Sequence, residues 1–274
     1  MLTHLAQWQR FHGPLIALAV TLALALAGRF LRIGLLATAA GGAGVVAGWY
    51  VVTGRFWTLS QQPALEALTG LAAVVVVSSV LFGWLGSDRQ NWICATLAAL
   101  AAGWLLSGAP RHQAALRVGW PVGLGVIVAV LVFVRFLAMG TPGPLRLALA
   151  GLTLTAALYI AGSPPIWIQL ALVAGLAALA MFALPSPSVL AAIPVAVDIA
   201  ALGCLAAIDL GRLPRLGFAP VDVAAIAPLL AVWLQPRTAE RMGRLGQVAP
   251  LAGGVLAGAI AVGLVWLARR ALAR

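Results

Sequence analysis

Long apolar runs separated by short polar turns dominate the chain. Ten runs can be counted, and each is close to the roughly 20 residues that an α-helix needs to cross a bilayer. They cover approximately residues 13–28, 33–53, 65–86, 91–108, 118–139, 145–162, 165–184, 188–209, 218–235 and 248–268. The pattern predicts an all-α fold, namely a polytopic integral membrane helix bundle with about ten transmembrane helices.

Turn residues and tryptophans mark the ends of these runs. Proline clusters with Gly, Ser or Thr occupy residues 141–144, 162–165 and 184–188, and such clusters interrupt helices. Tryptophans lie near many proposed ends, as in the aromatic belts of membrane proteins. They are Trp49, Trp57, Trp84, Trp92, Trp120, Trp167, Trp233 and Trp266. The two signals agree and support the proposed boundaries.

Two of the runs have a second interpretation. The first run follows a short basic segment and ends Leu-Ala-Leu-Ala-Gly, which resembles a signal peptide. A first transmembrane helix is preferred, because the runs behind it need no separate export signal. The ninth run, 218–235, is short and contains Pro220 and Pro228, so it either spans the membrane or is re-entrant.

Composition places the chain in lipid. Of its 274 residues, 63% are hydrophobic and 8% are charged, whereas soluble domains contain about 25% charged residues. The mean hydropathy is +1.07. A surface this apolar must be solvated by a lipid bilayer rather than by water. No hydrophilic segment is long enough for a separate soluble domain, so we expect residues 1–274 to form a single transmembrane domain.

The net charge of +11 comes entirely from arginine, since the chain has no lysine. The arginines lie mostly in short loops, where each attracts anionic lipid headgroups by about 1 kcal/mol. They are scattered rather than gathered on one face, which argues against nucleic-acid binding. The absence of lysine suggests a GC-rich coding sequence, and we expect a multi-pass protein of the bacterial cytoplasmic (inner) membrane. Arginines divide almost evenly between the two sides, which leaves the orientation undetermined.

A weak internal repeat is visible. Gly-Pro-Leu opens the first run at Gly13 and the sixth at Gly143, and other runs recur at a similar offset. Five spans per half would give residues 13–139 and 143–268 opposite orientations, the inverted-repeat plan of many transporters. Spans rich in Ala and Leu also match by chance, so a 5+5 inverted repeat and a coincidental likeness both stay open.

Two GxxxG patterns, Gly44 to Gly48 and Gly254 to Gly258, let helix backbones approach closely. They predict either packing inside the bundle or a face for a homodimer or larger membrane complex.

The eighth run is the most informative, because it carries a carboxylate near its middle. Asp198 at that depth costs at least roughly 2.5–3.5 kcal/mol, so it must be protonated, paired or facing water inside the protein. Pro194 lies one turn earlier and kinks the helix. Asp209 lies three turns later on almost the same face. We interpret Asp198, Asp209 and Arg135 as a substrate or proton path. The alternative is a structural pair of Asp198 with Arg135, or an Arg135 that reaches the interface instead.

Other chemistry is not indicated. No catalytic motif, cofactor-binding loop or metal-ligand spacing is present, so we expect no cofactor and no metal and lean against an enzyme. Cys94 and Cys204 lie inside apolar runs, where cysteine usually acts as a small buried hydrophobe.

Three functions remain as hypotheses. The first is a small permease or exporter of unknown substrate with an intramembrane carboxylate. The second is a non-catalytic accessory or assembly subunit of a larger membrane complex, and the third is a membrane-embedded lipid-modifying enzyme. In span number and chain length alone, the plan is similar in outline to the drug/metabolite transporter superfamily. No family motif accompanies that likeness, so it implies no site residue.

Overall fold

The computed structural model describes residues 11–54, 64–85, 88–107, 113–135, 143–181 and 189–211, together with isolated residues between 255 and 270. Every element in these ranges is a helix. In chain order they are α1 (His12–Phe30), α2 (Gly34–Thr53), α3 (Ala64–Leu85), α4 (Asp88–Leu106), α5 (Gln113–Phe133), α6 (Gly143–Ala161), α7 (Pro165–Ala180) and α8 (Val189–Gly211). The expected all-α class is therefore confirmed for the described residues.

Each of the first eight apolar runs coincides with one helix. Most boundaries agree within a few residues, while α5 begins about one and a half turns before the predicted run 118–139, and residues 136–139 of that run lie outside the described residues. The ninth run, 218–235, lies outside the described residues, and the tenth is represented only by isolated helical positions. The count of ten spans therefore stays a prediction.

Two of the helices, α1 and α2, are long and apolar enough to cross a membrane. Six further helices contain apolar stretches of 10–17 residues. The same test is passed by buried core helices and by N-terminal signal sequences, so these two helices alone are weak evidence for membrane association.

Local chemistry explains the helix ends that the structure defines. Gly54 ends α2 in the left-handed conformation, with φ of 69°, and its N–H donates to the Tyr50 carbonyl at 2.7 Å. Gly162 follows α6 with φ of 75°, and Pro165 then occupies the first turn of α7. The predicted turn at residues 162–165 is thus a helix break.

Glycine packing joins α1 to α2. A Cβ atom at Gly48 would lie 2.8 Å from Ala17 Cβ and 2.9 Å from the Gly13 carbonyl oxygen, and one at Gly44 would lie 2.7 Å from the Ala17 carbonyl oxygen. The first GxxxG pattern therefore packs inside the bundle. Gly254 and Gly258 of the second pattern lie outside the described residues.

Among the tryptophans at predicted helix ends, Trp57, Trp233 and the side chain of Trp84 lie outside the described residues, and the others divide into two groups. Trp92, Trp120 and Trp266 are exposed, as an aromatic belt requires, whereas Trp49 and Trp167 are buried. Trp49 is completely enclosed, and its indole N–H donates to the Leu170 carbonyl of α7 at 3.0 Å. Its position at a helix end was read correctly, but its side chain joins α2 to α7 instead of facing an interface.

Candidate functional site: a buried carboxylate on the central helix

Helix α8 is the centre of the described bundle. It packs against α2, α3, α4, α5, α6 and α7. Every residue in the stretch 191–203 is buried, so the helix is enclosed on all its faces. A helix that is apolar all round belongs in a core or a membrane. This arrangement explains why the run is so uniformly hydrophobic around its single mid-run carboxylate.

Asp198 is completely buried in the middle of this helix. The prediction that it faces the interior of the bundle is therefore confirmed. Neither Oδ1 nor Oδ2 has a hydrogen-bond partner in the part of the chain that the structure describes. An ionised carboxylate without compensation costs far more to bury than a neutral acid. An ionised Asp198 would therefore need a compensation that no hydrogen bond among the described residues supplies.

The register of α2 against α8 follows from a close contact at Gly42. A Cβ atom at Gly42 would lie 2.8 Å from Pro194 Cβ and would also clash with Val76 of α3. A Cβ atom at Gly83 would lie 3.6 Å from Thr38 Cγ2 and 3.8 Å from Leu190 Cδ1. Thr38 is therefore near Leu190 and Gly42 near Pro194, so α2 runs parallel to α8. Along α3 the order is reversed, with Gly83 near Leu190 and Val76 near Pro194, so α3 runs antiparallel to α8.

Continued by one turn, this register brings Val46 of α2 and Ala72 of α3 level with Asp198. Ala72 is fully buried and Val46 is partly buried against the core. Both side chains are apolar and offer the carboxylate no hydrogen bond. The register therefore predicts apolar neighbours for Asp198 on these two sides.

Pro194 gives the helix a local weakness one turn before Asp198. It lies inside α8 and has no N–H to donate to the Leu190 carbonyl. A missing hydrogen bond and the ring of the proline are common causes of helix kinks. The carboxylate therefore follows a point at which α8 can bend more easily than an uninterrupted helix.

Arg135 does not join Asp198. It lies just after α5 with an exposed side chain, and its guanidinium carbon is 5.2 Å from the centre of the Trp92 ring on α4. This distance is typical of a cation–π contact. Of the two arrangements expected for Arg135, the outward one is observed. Asp209 lies in the last turn of α8, and its side chain is outside the described residues.

A second polar contact, between α3 and α4, was not anticipated from the sequence. Ser79 Oγ donates to the Val75 carbonyl at 2.8 Å and lies 3.6 Å from Cys94 Sγ, and both side chains are buried. The Ser79 hydroxyl is hydrogen-bonded to its own helix and lies within hydrogen-bond distance of the Cys94 thiol, so the pair is a structural contact between the two helices. Nothing in the spacing of two residues on different helices signals such a pair.

A groove of about 640 Å³ lies between α3, α4 and α5. Asp198 is not among its lining residues, so the groove is separate from the buried carboxylate. Among the described residues, no group of three or more His, Cys, Asp or Glu side chains is placed to hold a metal ion.

Comparisons with protein-family models, with curated proteins and with solved structures each find no match for this chain.

Proposed function

We propose that the chain is a multi-pass protein of about ten membrane spans that acts as a small permease or exporter, with Asp198 as a proton-binding carboxylate in its transport path. The observation that carries the proposal is the complete burial of Asp198 without a hydrogen-bond partner among the described residues. Ionisable groups inside membrane helices commonly belong to ion or substrate paths. The proposed location is the bacterial cytoplasmic membrane.

The inverted repeat of residues 13–139 and 143–268 stays part of the proposal, and helix packing agrees with it only in part. Helix α2 contacts α7, and α3 contacts α8, and a two-fold axis that exchanges the halves would map each of these pairs onto itself. Helix α1 also contacts α7, and α2 contacts α8. The same axis would map these contacts onto α2–α6 and α3–α7, which among the described residues are not packed in the same way.

In the described conformation Asp198 has no exposed atom, so access to it requires movement. The kink-prone turn at Pro194 and the close contact with Gly42 are adjacent to the carboxylate along α8. A bend of α8 at that point would separate it from α2 and α3 and open the carboxylate to one side. Proton binding would then neutralise Asp198 when α8 closes again.

The test compares wild type with Asp198→Asn, which keeps the size of the side chain and removes the ionisable group. Everted membrane vesicles carry a proton gradient that is monitored by a pH-sensitive acridine dye. A panel of organic cations, amino acids and purines is added, and compounds that dissipate the gradient are scored. We expect at least one class to do so with wild type and not with Asp198→Asn. Asp88→Asn, at the first residue of α4, is the matched control and should behave like wild type.

A second measurement separates function from folding. Dicyclohexylcarbodiimide reacts with protonated carboxyl groups in apolar surroundings, and an intact-mass shift on wild type but not on Asp198→Asn would locate such a group. Melting in detergent should be unchanged or higher for Asp198→Asn, because the variant buries no ionisable group. A large loss of stability would contradict the proposal and favour a structural carboxylate in an accessory subunit.

A further inference from the structure

Thr69 is a buried hydroxyl without a partner on α3, one of the helices that pack against α8. Its side chain is completely enclosed, and its Oγ1 has no hydrogen-bond partner in the part of the chain that the structure describes. Thr38 of α2 and Ser79 of α3 are also buried, but each donates to a carbonyl one turn earlier on its own helix, at 3.1 and 2.8 Å. That bond is the common arrangement for a hydroxyl inside a helix. A buried hydroxyl without it is costly, so Thr69 does not contribute to stability as the other two do.

Thr69 lies on the face of α3 that is turned toward α8. Val76 and Gly83 belong to this face, since Val76 contacts the Cβ position of Gly42 and a Cβ atom at Gly83 would lie 3.8 Å from Leu190 Cδ1 of α8. Thr69 precedes Val76 by seven residues, as Val76 precedes Gly83. Seven residues are close to two helical turns and change the direction of a side chain by only about 20°. The three residues therefore form one row along α3.

Two other buried hydroxyls also have no partner among the described residues, namely those of Thr21 and Ser163. Thr21 lies against Gly44 where α1 packs on α2, and Ser163 lies in the connection between α6 and α7. Of these three hydroxyls, Thr69 is the one in the row that faces α8.

The register of this row places Thr69 close to the level of Asp198. Val76 and Pro194 both contact the Cβ position of Gly42, so they lie at one level. From there, seven residues of α3 cover about 10 Å and four residues of α8 cover about 6 Å in the same direction. The register therefore predicts that Thr69 lies roughly 4–5 Å beyond Asp198 along the bundle, which one water molecule can bridge with two hydrogen bonds of about 2.8 Å each.

Toward the start of α8, close contacts separate Asp198 from the end of the bundle. A Cβ atom at Gly42 would lie 2.8 Å from Pro194 Cβ, so α2 and α8 are tightly packed there. The next hydroxyl in that direction belongs to Thr38, and it already donates to the Gly34 carbonyl. This half of the bundle therefore offers Asp198 a tight helix contact and a hydroxyl that is already bonded.

Toward the end of α8, the described neighbours are smaller and one of them is polar. Ala201 follows Asp198 by three residues on the same face of α8, and Ala72 lies at the level of Asp198 on α3. Both alanines are fully buried, and Thr69 comes next along α3. Small side chains leave little to move aside when α8 bends. A free hydroxyl beside them can hold water, because it donates and accepts hydrogen bonds at once.

We propose that Thr69 lines the path by which a proton reaches Asp198, and that this half of the path opens where α3 begins and α8 ends. The Thr69 hydroxyl holds the water molecule next to the carboxylate. A water molecule that arrives with an additional proton gives that proton to an Asp198 oxygen and leaves as neutral water. The inference rests on the proposed function, because it takes Asp198 as the proton-binding carboxylate.

The first test measures hydrogen–deuterium exchange of the Asp198 carboxyl group by infrared spectroscopy of the purified full chain in lipid. The band of Asp198 is identified by its loss in Asp198→Asn. Thr69→Val keeps the shape of the side chain and removes the hydroxyl, so we expect exchange to be roughly 2- to 10-fold slower, as the loss of one hydrogen bond implies. Thr69→Ser should restore the wild-type rate. Thr38→Val, which removes a hydroxyl bonded to its own helix, is the matched control and should exchange like wild type.

Folding is checked by melting in detergent. Thr69→Val should melt at or above the wild-type temperature, because it removes a buried hydroxyl without a partner. Equal exchange rates in Thr69→Val and Thr38→Val would overturn the inference and leave the proposed function intact. A wild-type protein without a carboxyl band of Asp198 would contradict the proposed function instead, and the second test then decides whether water reaches Thr69.

The second test locates the open end of the path and needs a reference for each side. Phe11 and Leu31 flank α1 at its two ends and are 53% and 63% exposed. Helix α2 runs parallel to α8 and α1 antiparallel to α2, so Phe11 lies at the end of the bundle where α8 ends and Leu31 at the opposite end. Single cysteines are introduced after Cys94→Ala and Cys204→Ala have removed the native thiols.

Vesicles of both orientations are treated with Ag⁺, which binds thiols and needs only a narrow water-filled path. Thiols that remain free are then labelled with a maleimide in detergent and counted by intact mass. We expect Thr69→Cys to be protected from the same side as Phe11→Cys and not from the side of Leu31→Cys. Thr38→Cys should stay unprotected from the Phe11 side, because the Gly42 contact lies between. Protection of Thr69→Cys from the Leu31 side alone, or from neither side, would refute the path.

Discussion

The close contact between α2 and α8 makes a quantitative prediction at Gly42. The new Cβ of Gly42→Ala would lie 2.8 Å from Pro194 Cβ, whereas carbon atoms pack best at about 3.5–4.0 Å. The two helices would therefore have to separate by roughly 1 Å, and Val76 on α3 would have to move too. Insertion of a methyl group into a packed core costs about 1–3 kcal/mol.

A matched control isolates that cost. Gly125 lies inside α5, and a Cβ atom there would meet nothing within 4 Å. Both Gly→Ala changes gain the same helix propensity, up to about 1 kcal/mol. The difference between the two variants is then the packing cost alone. We expect Gly42→Ala to be less stable than Gly125→Ala by about 1–3 kcal/mol, with Gly125→Ala equal to or above wild type.

The free energy of unfolding is measured by titration with sodium dodecyl sulfate in mixed micelles, with helix content followed by circular dichroism. Melting in dodecyl maltoside provides an independent ranking of the three proteins. Equal stability of the two variants would refute the close approach of α2 to α8. The register that places Val46 and Ala72 beside Asp198 would then lose its basis.

Two further predictions concern the packing contacts of α2 with α7 and with α1. Trp49→Phe should lower the free energy of unfolding by about 0.5–1.5 kcal/mol because its hydrogen bond to the Leu170 carbonyl is lost, and the smaller ring should lower it further by leaving a cavity. The control Trp104→Phe, at a half-exposed position, should change little in the same titration. Gly48→Val should weaken the packing of α1 on α2 and lower the melting temperature, with no change of mass in light scattering after gel filtration. A dimer in wild type that Gly48→Val abolishes would contradict the intramolecular role of this GxxxG pattern.

The positions of the described helices could be predicted well, because apolar runs of about 20 residues and proline-containing turns are local signals. The boundary at Gly162 and Pro165 depends on the backbone preferences of those residues alone, so it can be read without tertiary information. The predicted run 118–139 misses the first residues of α5, and the reason is again local. Residues 113–117 contain Gln and Arg, which are good helix formers but not apolar, so a search for hydrophobic runs leaves them out.

The partners of side chains could not be predicted in this way. Trp49 and Trp92 both lie near helix ends, yet the first is enclosed and the second is exposed under Arg135. Their orientation depends on which helix lies beside them, and a single sequence holds no such contact information. The suggested pairing of Asp198 with Arg135 is not observed. Opposite charges on two helices do not determine how the helices are rotated relative to each other, so the pairing could not be predicted from the sequence.

Gly42 of α2 and Asp198 of the central helix α8 change the stability of the bundle in opposite directions. The glycine contact brings α2 onto α8 and stabilises the closed bundle, while the carboxylate one turn beyond Pro194, which has no hydrogen-bond partner among the described residues, lowers its stability. A helix selected for stability alone would carry an apolar residue at position 198, as it does at Val197 and Ile199. Stability given up at one buried position is typical of functional sites. The tight contact at Gly42 and the weak turn at Pro194 would then act together, since the first holds α8 closed and the second lets it open beside the carboxylate.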